Sequence, residues 1–207
     1  MSRYMTTLLL ALWVSSAALA ATPGESEYAV CVACHGASGE GNAALNSPAL
    51  AGQDASYLQR QLTYFKNGMR GADPKDQFGG QMRGMAATLG SEQAVADVAA
   101  YIAAMPPIAI AEEPAGNLRN GENQYNGACG ACHGGKAQGN PALNAPRLAG
   151  LDSAYLRRQY QNYGAGIRGA HADDRYGKQM AMMATVLSTG QDLDDVIAFI
   201  HASSRAE

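Results

Sequence analysis

Two short motifs contain the residues of this sequence that are best suited to chemistry. Both read C-x-x-C-H, once over residues 31–35 and once over residues 129–133. This spacing allows two thiols to add to the two vinyl groups of one haem, while the adjacent imidazole reaches the iron from one face. The motifs therefore predict two covalently attached haem c groups, each with its iron ion. The residues predicted to bind them are Cys31, Cys34, His35, Cys129, Cys132 and His133.

Three other uses of paired cysteines fit the sequence less well. A thioredoxin-like redox pair would need a βαβ unit, and no segment shows the sustained alternation of apolar residues that indicates strands. A structural zinc ion needs four ligands, whereas each motif offers two cysteines and one histidine. Structural disulfides would leave the repeated histidine without a role.

The second axial ligand of each iron has to come from elsewhere in the chain. Only two methionine pairs occupy matching positions in the two halves, Met82 with Met180 and Met85 with Met183. A thioether ligand raises the reduction potential of a haem and suits electron transfer. Methionine also fills cores, so one member of each pair is expected to be a ligand and the other a packing residue.

The two remaining histidines are weaker candidates for iron ligands. His171 aligns with Asp73 and His201 with Ala103, so neither has a counterpart in the other half. Both are interpreted as ordinary surface residues.

The two motifs belong to an internal duplication. Residues 31–104 align without a gap with residues 129–202, at a constant offset of 98, and about half of the aligned positions are identical. Two long copies indicate tandem domains rather than a solenoid of short repeats. The expected boundaries are 21–105 for the N-terminal domain, 106–116 for a linker with three prolines that packs across both domains, and 117–207 for the C-terminal domain.

Each copy carries helix signals, so the fold class is predicted to be all-α. A first helix should run from about Glu25, or Asn120, into the cysteine motif. After a loop rich in glycine and asparagine, Asp54 and Asp152 are expected to be N-caps of a helix that ends at Gly68 or Gly166. A second loop should then carry the paired methionines. The last helix is expected over 91–105 and 190–203, with an apolar stripe formed by Val95, Val98 and Ile102, and by Leu193, Val196, Ile197 and Ile200.

The start of the chain has the pattern of a secretory signal peptide. Arg3 precedes an apolar run over 8–14, and small residues lead to Ala18-Leu19-Ala20. The apolar run is shorter than the roughly 20 residues that a transmembrane helix needs. Residues 1–20 are therefore expected to be removed on export, which predicts a periplasmic protein.

The charge of the exported chain excludes one class of partner. Without residues 1–20 it has 14 basic and 18 acidic residues and no basic run. Such a chain lacks the positive surface that nucleic-acid binding requires.

Further motifs follow the same order in both copies. In the first copy they are C-x-x-C-H-G, Asn46-x-Pro48-x-Leu50-Ala51-Gly52-Gln53, Tyr57-Leu58-x-x-Gln61-Leu62 and Met82-Arg83-Gly84-Met85-Ala86-Ala87-x-Leu89. In the second they include Pro146-x-Leu148-Ala149-Gly150, Tyr155-Leu156-x-x-Gln159 and Met180-Ala181-Met182-Met183-Ala184. Over essentially the whole chain after residue 20, this order resembles dihaem cytochrome c4. The resemblance implies two tandem class I cytochrome c domains.

The resemblance also implies roles for individual residues. The axial ligands would be the first of each methionine pair, Met82 and Met180, so the predicted iron ligands are His35, Met82, His133 and Met180. The Met-Arg-Gly context is present only in the first copy, so the choice between Met180 and Met183 as the ligand of the second iron stays open. Carbonyl groups of Pro48 and Pro146 would accept hydrogen bonds from the two haem histidines. Arg70 and Arg168 would either meet haem propionates or lie on the solvated surface.

By this resemblance the protein is a respiratory electron carrier and not an enzyme, because iron closed by histidine and methionine leaves no position for a substrate. Its expected partners are a redox donor and acceptor, such as a membrane-bound terminal oxidase or cytochrome complex, with peripheral association with the membrane. One alternative is a dedicated electron-accepting subunit of a dehydrogenase for sulfur compounds. A dihaem peroxidase or a sensory haem protein would each need an iron that opens to ligands.

Overall fold

The computed structural model describes residues 23–205, and every regular element within that range is helical. The N-terminal half contains α1 (Pro23–Tyr28), α2 (Val32–His35), α3 (Ala55–Lys66), α4 (Gln77–Ala87) and α5 (Glu92–Ala103), with a 3-10 turn at Ala43–Leu45. The C-terminal half contains α6 (Leu118–Ala128), α7 (Gly130–His133), α8 (Ser153–Gly164), α9 (Arg175–Met183) and α10 (Gly190–Ser204), with a 3-10 turn at Pro141–Leu143. The all-α prediction is confirmed. The signal peptide prediction falls on residues outside the described range.

The third helix of each copy begins and ends where the sequence predicts. The Asp54 carboxylate accepts the Tyr57 N–H at 2.9 Å, and the Asp152 carboxylate accepts the Tyr155 N–H at 2.8 Å. These bonds satisfy backbone donors that have no partner inside the helix. Just beyond the helices, Gly68 and Gly166 adopt positive φ angles of 77° and 69°, a conformation that favours glycine and stops a helix.

The prediction that a loop carries the methionines is wrong, because Met82 and Met85 lie on α4, and their counterparts lie on α9. Each of these helices starts at a buried aspartate cap, Asp76 or Asp174, whose carboxylate accepts a glycine N–H three residues later. The cap and the packing of α4 on α3 outweigh the low helix propensity of the glycines.

The first helix also differs from its prediction. It starts earlier, at Pro23 and Leu118, and in the N-terminal domain it ends at Tyr28, before the cysteine motif. The chain turns over the next residues, and the motif forms a separate one-turn helix, α2. The C-terminal domain has one more residue here, and only Cys129 separates α6 from α7.

The core of each domain forms where its first helix crosses its last. A Cβ atom on Gly24 would lie 2.3 Å from the Asp97 carbonyl oxygen, and one on Gly121 would lie 2.0 Å from that of Asp195. Glycine at these positions therefore sets the close approach of the helices. Both predicted apolar stripes are buried here, formed by Val95, Val98 and Ile102, and by Leu193, Val196, Ile197 and Ile200.

The chain between the domains contains no helix and contacts both of them. Pro107 lies against Gly52, and the Ile108 carbonyl lies near Gly150. His201 contacts the second half of this linker, because one of its ring nitrogens lies 3.3 Å from the carbonyl oxygen of Glu112. The other ring nitrogen lies 3.1 Å from the carbonyl oxygen of Leu151 in the C-terminal domain. The prediction of a surface histidine is thus wrong for His201, which is 3% exposed. Its counterpart Ala103 has no polar group, so the repeat contained no signal for this contact.

Candidate haem-binding sites

Each cysteine motif forms a single helical turn, and its two cysteine side chains differ in solvent exposure. Cys31 is half-buried while Cys34 lies at the surface, and Cys129 and Cys132 repeat this arrangement. No disulfide joins the four thiols. Within residues 23–205, no cluster of three His, Cys, Asp or Glu side chains could hold a metal ion directly. A haem attached to both thiols of one motif would be held through one half-buried and one exposed cysteine.

The histidine of each motif is buried and oriented by a backbone carbonyl. His35 Nδ1 lies 2.8 Å from the Pro48 oxygen, and His133 Nδ1 lies 2.9 Å from the Pro146 oxygen. Because a carbonyl can only accept, Nδ1 carries the proton and Nε2 keeps its lone pair. Burial lowers the pKa of both imidazoles, although these hydrogen bonds oppose the effect. The rings are therefore neutral, as iron ligation requires, and the predicted carbonyl contacts are confirmed.

A small backbone bridge presents the proline carbonyl in each domain. Asn42 and Ser47 exchange two backbone hydrogen bonds of 2.8 and 3.0 Å, and Asn46 between them adopts a positive φ of 56°. Asn140 and Ala145 make the same bridge in the second copy. The loop rich in glycine and asparagine is therefore an ordered support for the histidine.

A buried tyrosine supports the other end of this loop, a role that the sequence interpretation missed. The Tyr28 hydroxyl donates to the Gly36 carbonyl at 2.7 Å, and the Tyr125 hydroxyl donates to the Gly134 carbonyl at 2.6 Å. Burial raises the pKa of both phenols, which keeps them neutral donors. The repeated Gly-Glu-x-x-Tyr pattern was the available signal.

One cavity brings the predicted ligands of the second haem together. Cys129, Cys132 and His133 line it, and so do Met180 and Met183 from α9. Both methionines are half-buried, so the cavity does not distinguish them. In the N-terminal domain Met82 is half-buried and Met85 is 40% exposed, and Met82 stays the predicted ligand there.

The remaining walls of this cavity suit a porphyrin. They are mainly apolar and come from both domains, with Leu148, Leu156 and Val196 from the C-terminal domain and Pro48, Leu50 and Leu58 from the N-terminal domain. Two thiols, a neutral imidazole and a thioether around an apolar space match the donor set of a covalently bound haem. The residues present therefore fit the predicted cofactor.

The paired arginines lie at the interface between the domains. Both are buried, so the alternative of solvated surface arginines is wrong. Arg70 donates to Gln61 of its own domain and to Tyr155 and Gln159 of the other domain. The meeting of these arginines with haem propionates stays a prediction.

Arg168 makes the mirrored set of bonds, to Gln159 of its own domain and to Tyr57 and Gln61 of the other. The interface is therefore self-complementary, as in a symmetric dimer. Sequence reasoning did not predict this use of the arginines, although their repetition in both copies was visible.

Comparison with known proteins places both halves of the chain in the same protein family. The family model described as Cytochrome c matches residues 21–106 and again residues 118–204. A protein named cytochrome c4 from Azotobacter vinelandii is 34% identical, over 87% of this chain and 91% of its own length. A protein named thiosulfate dehydrogenase electron acceptor from Thiomonas intermedia is 35% identical, over 87% of this chain and 79% of its own length. The crystal structure of reduced recombinant cytochrome c4 from Pseudomonas stutzeri superposes with a TM-score of 0.68 at 29% identity, over 86% of this chain and 95% of that one.

Proposed function

This chain belongs to the cytochrome c family as a dihaem member of the cytochrome c4 type, and we propose that it carries single electrons between two respiratory proteins in the periplasm. Two covalently bound haem c groups and a role in electron transfer rather than catalysis follow from the family. The location and the partners are the proposed part.

One observation carries this proposal. In the C-terminal domain, a buried neutral histidine and two methionines line the same cavity as the two cysteines. When bound, the haem supplies a ferrous/ferric couple, and closure of both axial positions would leave no place for a substrate. The chain's own residues orient the imidazole through the proline carbonyl and exclude water with apolar walls.

We assign the ligands domain by domain. His35 and Met82 would bind the iron of the N-terminal haem, and His133 and Met180 that of the C-terminal haem. The thioether bonds would come from Cys31 and Cys34, and from Cys129 and Cys132. The domain boundaries proposed from sequence, 21–105, 106–116 and 117–207, keep each ligand set within one domain.

The proposed location rests on the export pattern of residues 1–20. No helix within residues 23–205 is long and apolar enough to cross a membrane. A partner in the membrane, such as a terminal oxidase, is proposed to meet this chain at the surface of the bilayer.

The proposal is tested by producing the chain in a host that attaches c-type haem. The product should gain the mass of two haems, and EPR of the oxidised protein should show two low-spin irons. Carbon monoxide should leave the absorption spectrum of the reduced protein unchanged. A colourless product, one haem per chain, or a high-spin iron that binds carbon monoxide would contradict the proposal, and the last result would favour a peroxidase or a sensor.

A second candidate is a dedicated electron acceptor for a dehydrogenase of sulfur compounds. The relative from Thiomonas intermedia carries such a name, and at 35% it is about as identical to this chain as the cytochrome c4 protein from Azotobacter vinelandii at 34%. Co-purification of a catalytic subunit that reduces this chain with thiosulfate would favour this candidate over a free carrier.

A further inference from the structure

The two domains differ on the surface around their cysteine motifs. In the N-terminal domain Val30 and Val32 are 50% and 37% exposed, and the neighbouring Ala33 and Cys34 are exposed too. The aligned residues of the C-terminal domain are Ala128 and Gly130, which are half-buried. At these aligned positions of the described chain, the N-terminal domain alone presents branched apolar side chains beside its outer cysteine.

Two acidic side chains border this apolar surface of the N-terminal domain. Glu27 lies near Cys31 and, after burial of the thiol and the effect of Cys34, contributes to its raised pKa. The exposed Glu40 accepts the Ser38 N–H at 2.8 Å and lies against Gly36, next to the haem histidine. The aligned residues of the C-terminal domain are Gln124 and Gln138. Each difference makes the N-terminal surface either more apolar or more negative.

The C-terminal domain places its additional exposed apolar residues elsewhere. Met182 is 67% exposed and Val186 is 44% exposed, at the end of α9 and just beyond it. The aligned residues of the N-terminal domain are Gly84 and Thr88. The two domains thus expose different faces, one at the cysteine motif and one at the methionine helix.

We propose that the N-terminal motif face, formed by Val30, Val32, Ala33 and Cys34 and bordered by Glu27 and Glu40, docks a redox protein whose own contact surface is apolar and ringed by basic side chains. The inference rests on the proposed electron-carrier function. Apolar contact gives a short-lived complex its affinity, while charge complementarity steers the encounter and sets its orientation. In each encounter one electron would pass between the partner and the haem attached through Cys31 and Cys34, and no bond forms or breaks.

The test uses the holoprotein with both haems reduced. The probe is a cupric blue-copper protein whose copper-side apolar patch is ringed by lysines, and stopped-flow absorption follows the transfer of one electron to it. The first variant combines Val30→Ala with Val32→Gly, and the second combines Glu27→Gln with Glu40→Gln. Both introduce residues that the C-terminal domain already carries at the aligned positions. The matched control combines Met182→Ala with Val186→Thr on the other domain.

The valine variant should lower the second-order rate constant about threefold to tenfold, because it removes apolar contact area. The glutamate variant should lower it by about tenfold at low ionic strength and lose most of that effect at about 1 M salt, where charges are screened within about 3 Å. With hexacyanoferrate(III), an anion, the glutamate variant should instead react faster. The control should stay within about twofold of the unmodified chain, a difference below 0.5 kcal/mol.

Two results would overturn the proposal. One is a slower reaction in the control but not in the two N-terminal variants, which would move docking to the other domain. The other is a set of rates that all agree within twofold. Absorption spectra separate these failures from failure of the proposed function. If both irons remain low-spin and hexacyanoferrate still oxidises the protein, the carrier function stands and only the docking face is refuted.

Discussion

Arg158 of the C-terminal domain donates hydrogen bonds from two guanidinium nitrogens to Asn46 of the N-terminal domain. Nη1 lies 3.0 Å from the asparagine Oδ1, and Nη2 lies 3.0 Å from its backbone oxygen. Arg60 makes the mirrored pair of bonds to Asn144, at 3.0 and 2.9 Å. Each asparagine adopts a positive φ angle. The same loop that presents the proline carbonyl to a haem histidine is therefore also the surface that the other domain holds.

Replacing Arg158 by alanine should weaken the contact between the domains. Hydrogen bonds from a charged donor contribute about 1.5–3 kcal/mol to stability. Arg158→Ala should therefore lower the free energy of unfolding by roughly that amount, and Arg60→Ala should do the same because its contacts are mirrored. Urea unfolding of the holoprotein, followed by circular dichroism, measures the loss.

The neighbouring Arg157 provides the control for this prediction. It pairs with Asp194 of its own domain, and both side chains are about one-third exposed. Such surface pairs contribute about 0–1 kcal/mol, so Arg157→Ala should cost little. Equal losses for the two neighbouring variants would show that Arg158 does not hold the domains together.

Gly121 and Gly127 lie on the same helix, but replacing each by alanine should have different effects on the melting temperature. A Cβ atom at Gly121 would lie 2.0 Å from the Asp195 carbonyl oxygen, whereas nothing lies within 4 Å of one at Gly127. Overpacking costs about 1–3 kcal/mol, so Gly121→Ala should lower the melting temperature. Gly127→Ala should leave it unchanged or raise it, since alanine is favoured over glycine in helices by up to about 1 kcal/mol. An unchanged or raised melting temperature for Gly121→Ala would contradict the helix crossing described above.

The sequence predicted the features that depend on local rules. Asp54 and Asp152 could be recognised as caps, and the apolar stripe of α5 could be identified, because caps and periodicity act within one or two helical turns. The cysteine motifs and their histidines were recognisable for the same reason.

The features that were missed depend on residues far apart in the chain. The interface arginines bind partners 84 to 112 positions away, and His201 binds the carbonyl oxygens of Glu112 and Leu151. The repeat shows that Arg60 and Arg158 correspond, but not that each copy packs on the other. No single-copy pattern encodes that symmetry.

Asp195 should make the stability of the C-terminal domain sensitive to acid. The Asn117 N–H and the side-chain amides of Asn120 and Gln191 donate to its carboxylate, each at 2.8 Å. These bonds lower its pKa below the ordinary value of 3.8. Between the lowered value and 3.8 the unfolded chain binds more protons than the folded one. This contribution to stability is therefore present above pH 3.8 and is lost as the pH falls through the lowered pKa.

Denaturant unfolding at a series of pH values from 5 downwards tests this expectation. Asp195→Asn should be less stable at pH 5 and should lose less further stability as the pH falls. The matched variant is Asp97→Asn at the aligned position, where Gln93 is the one side chain that donates to the carboxylate among the described residues. Equal acid slopes for the unmodified chain and for Asp195→Asn would contradict the assignment.

The four paired methionines allow the axial ligands to be assigned by substitution. Met82→Ala and Met180→Ala should each remove about half of the methionine-to-iron charge-transfer absorption of the oxidised protein, because one of two sulfur ligands is lost. Met85→Ala should leave that band intact, since the proposed ligand of that iron is Met82. Met183→Ala is the sharper comparison, because Met180 and Met183 line the same cavity as His133. Loss of the band in Met183→Ala, with retention in Met180→Ala, would transfer the ligand assignment one helical turn along α9 and leave the N-terminal assignment unaffected.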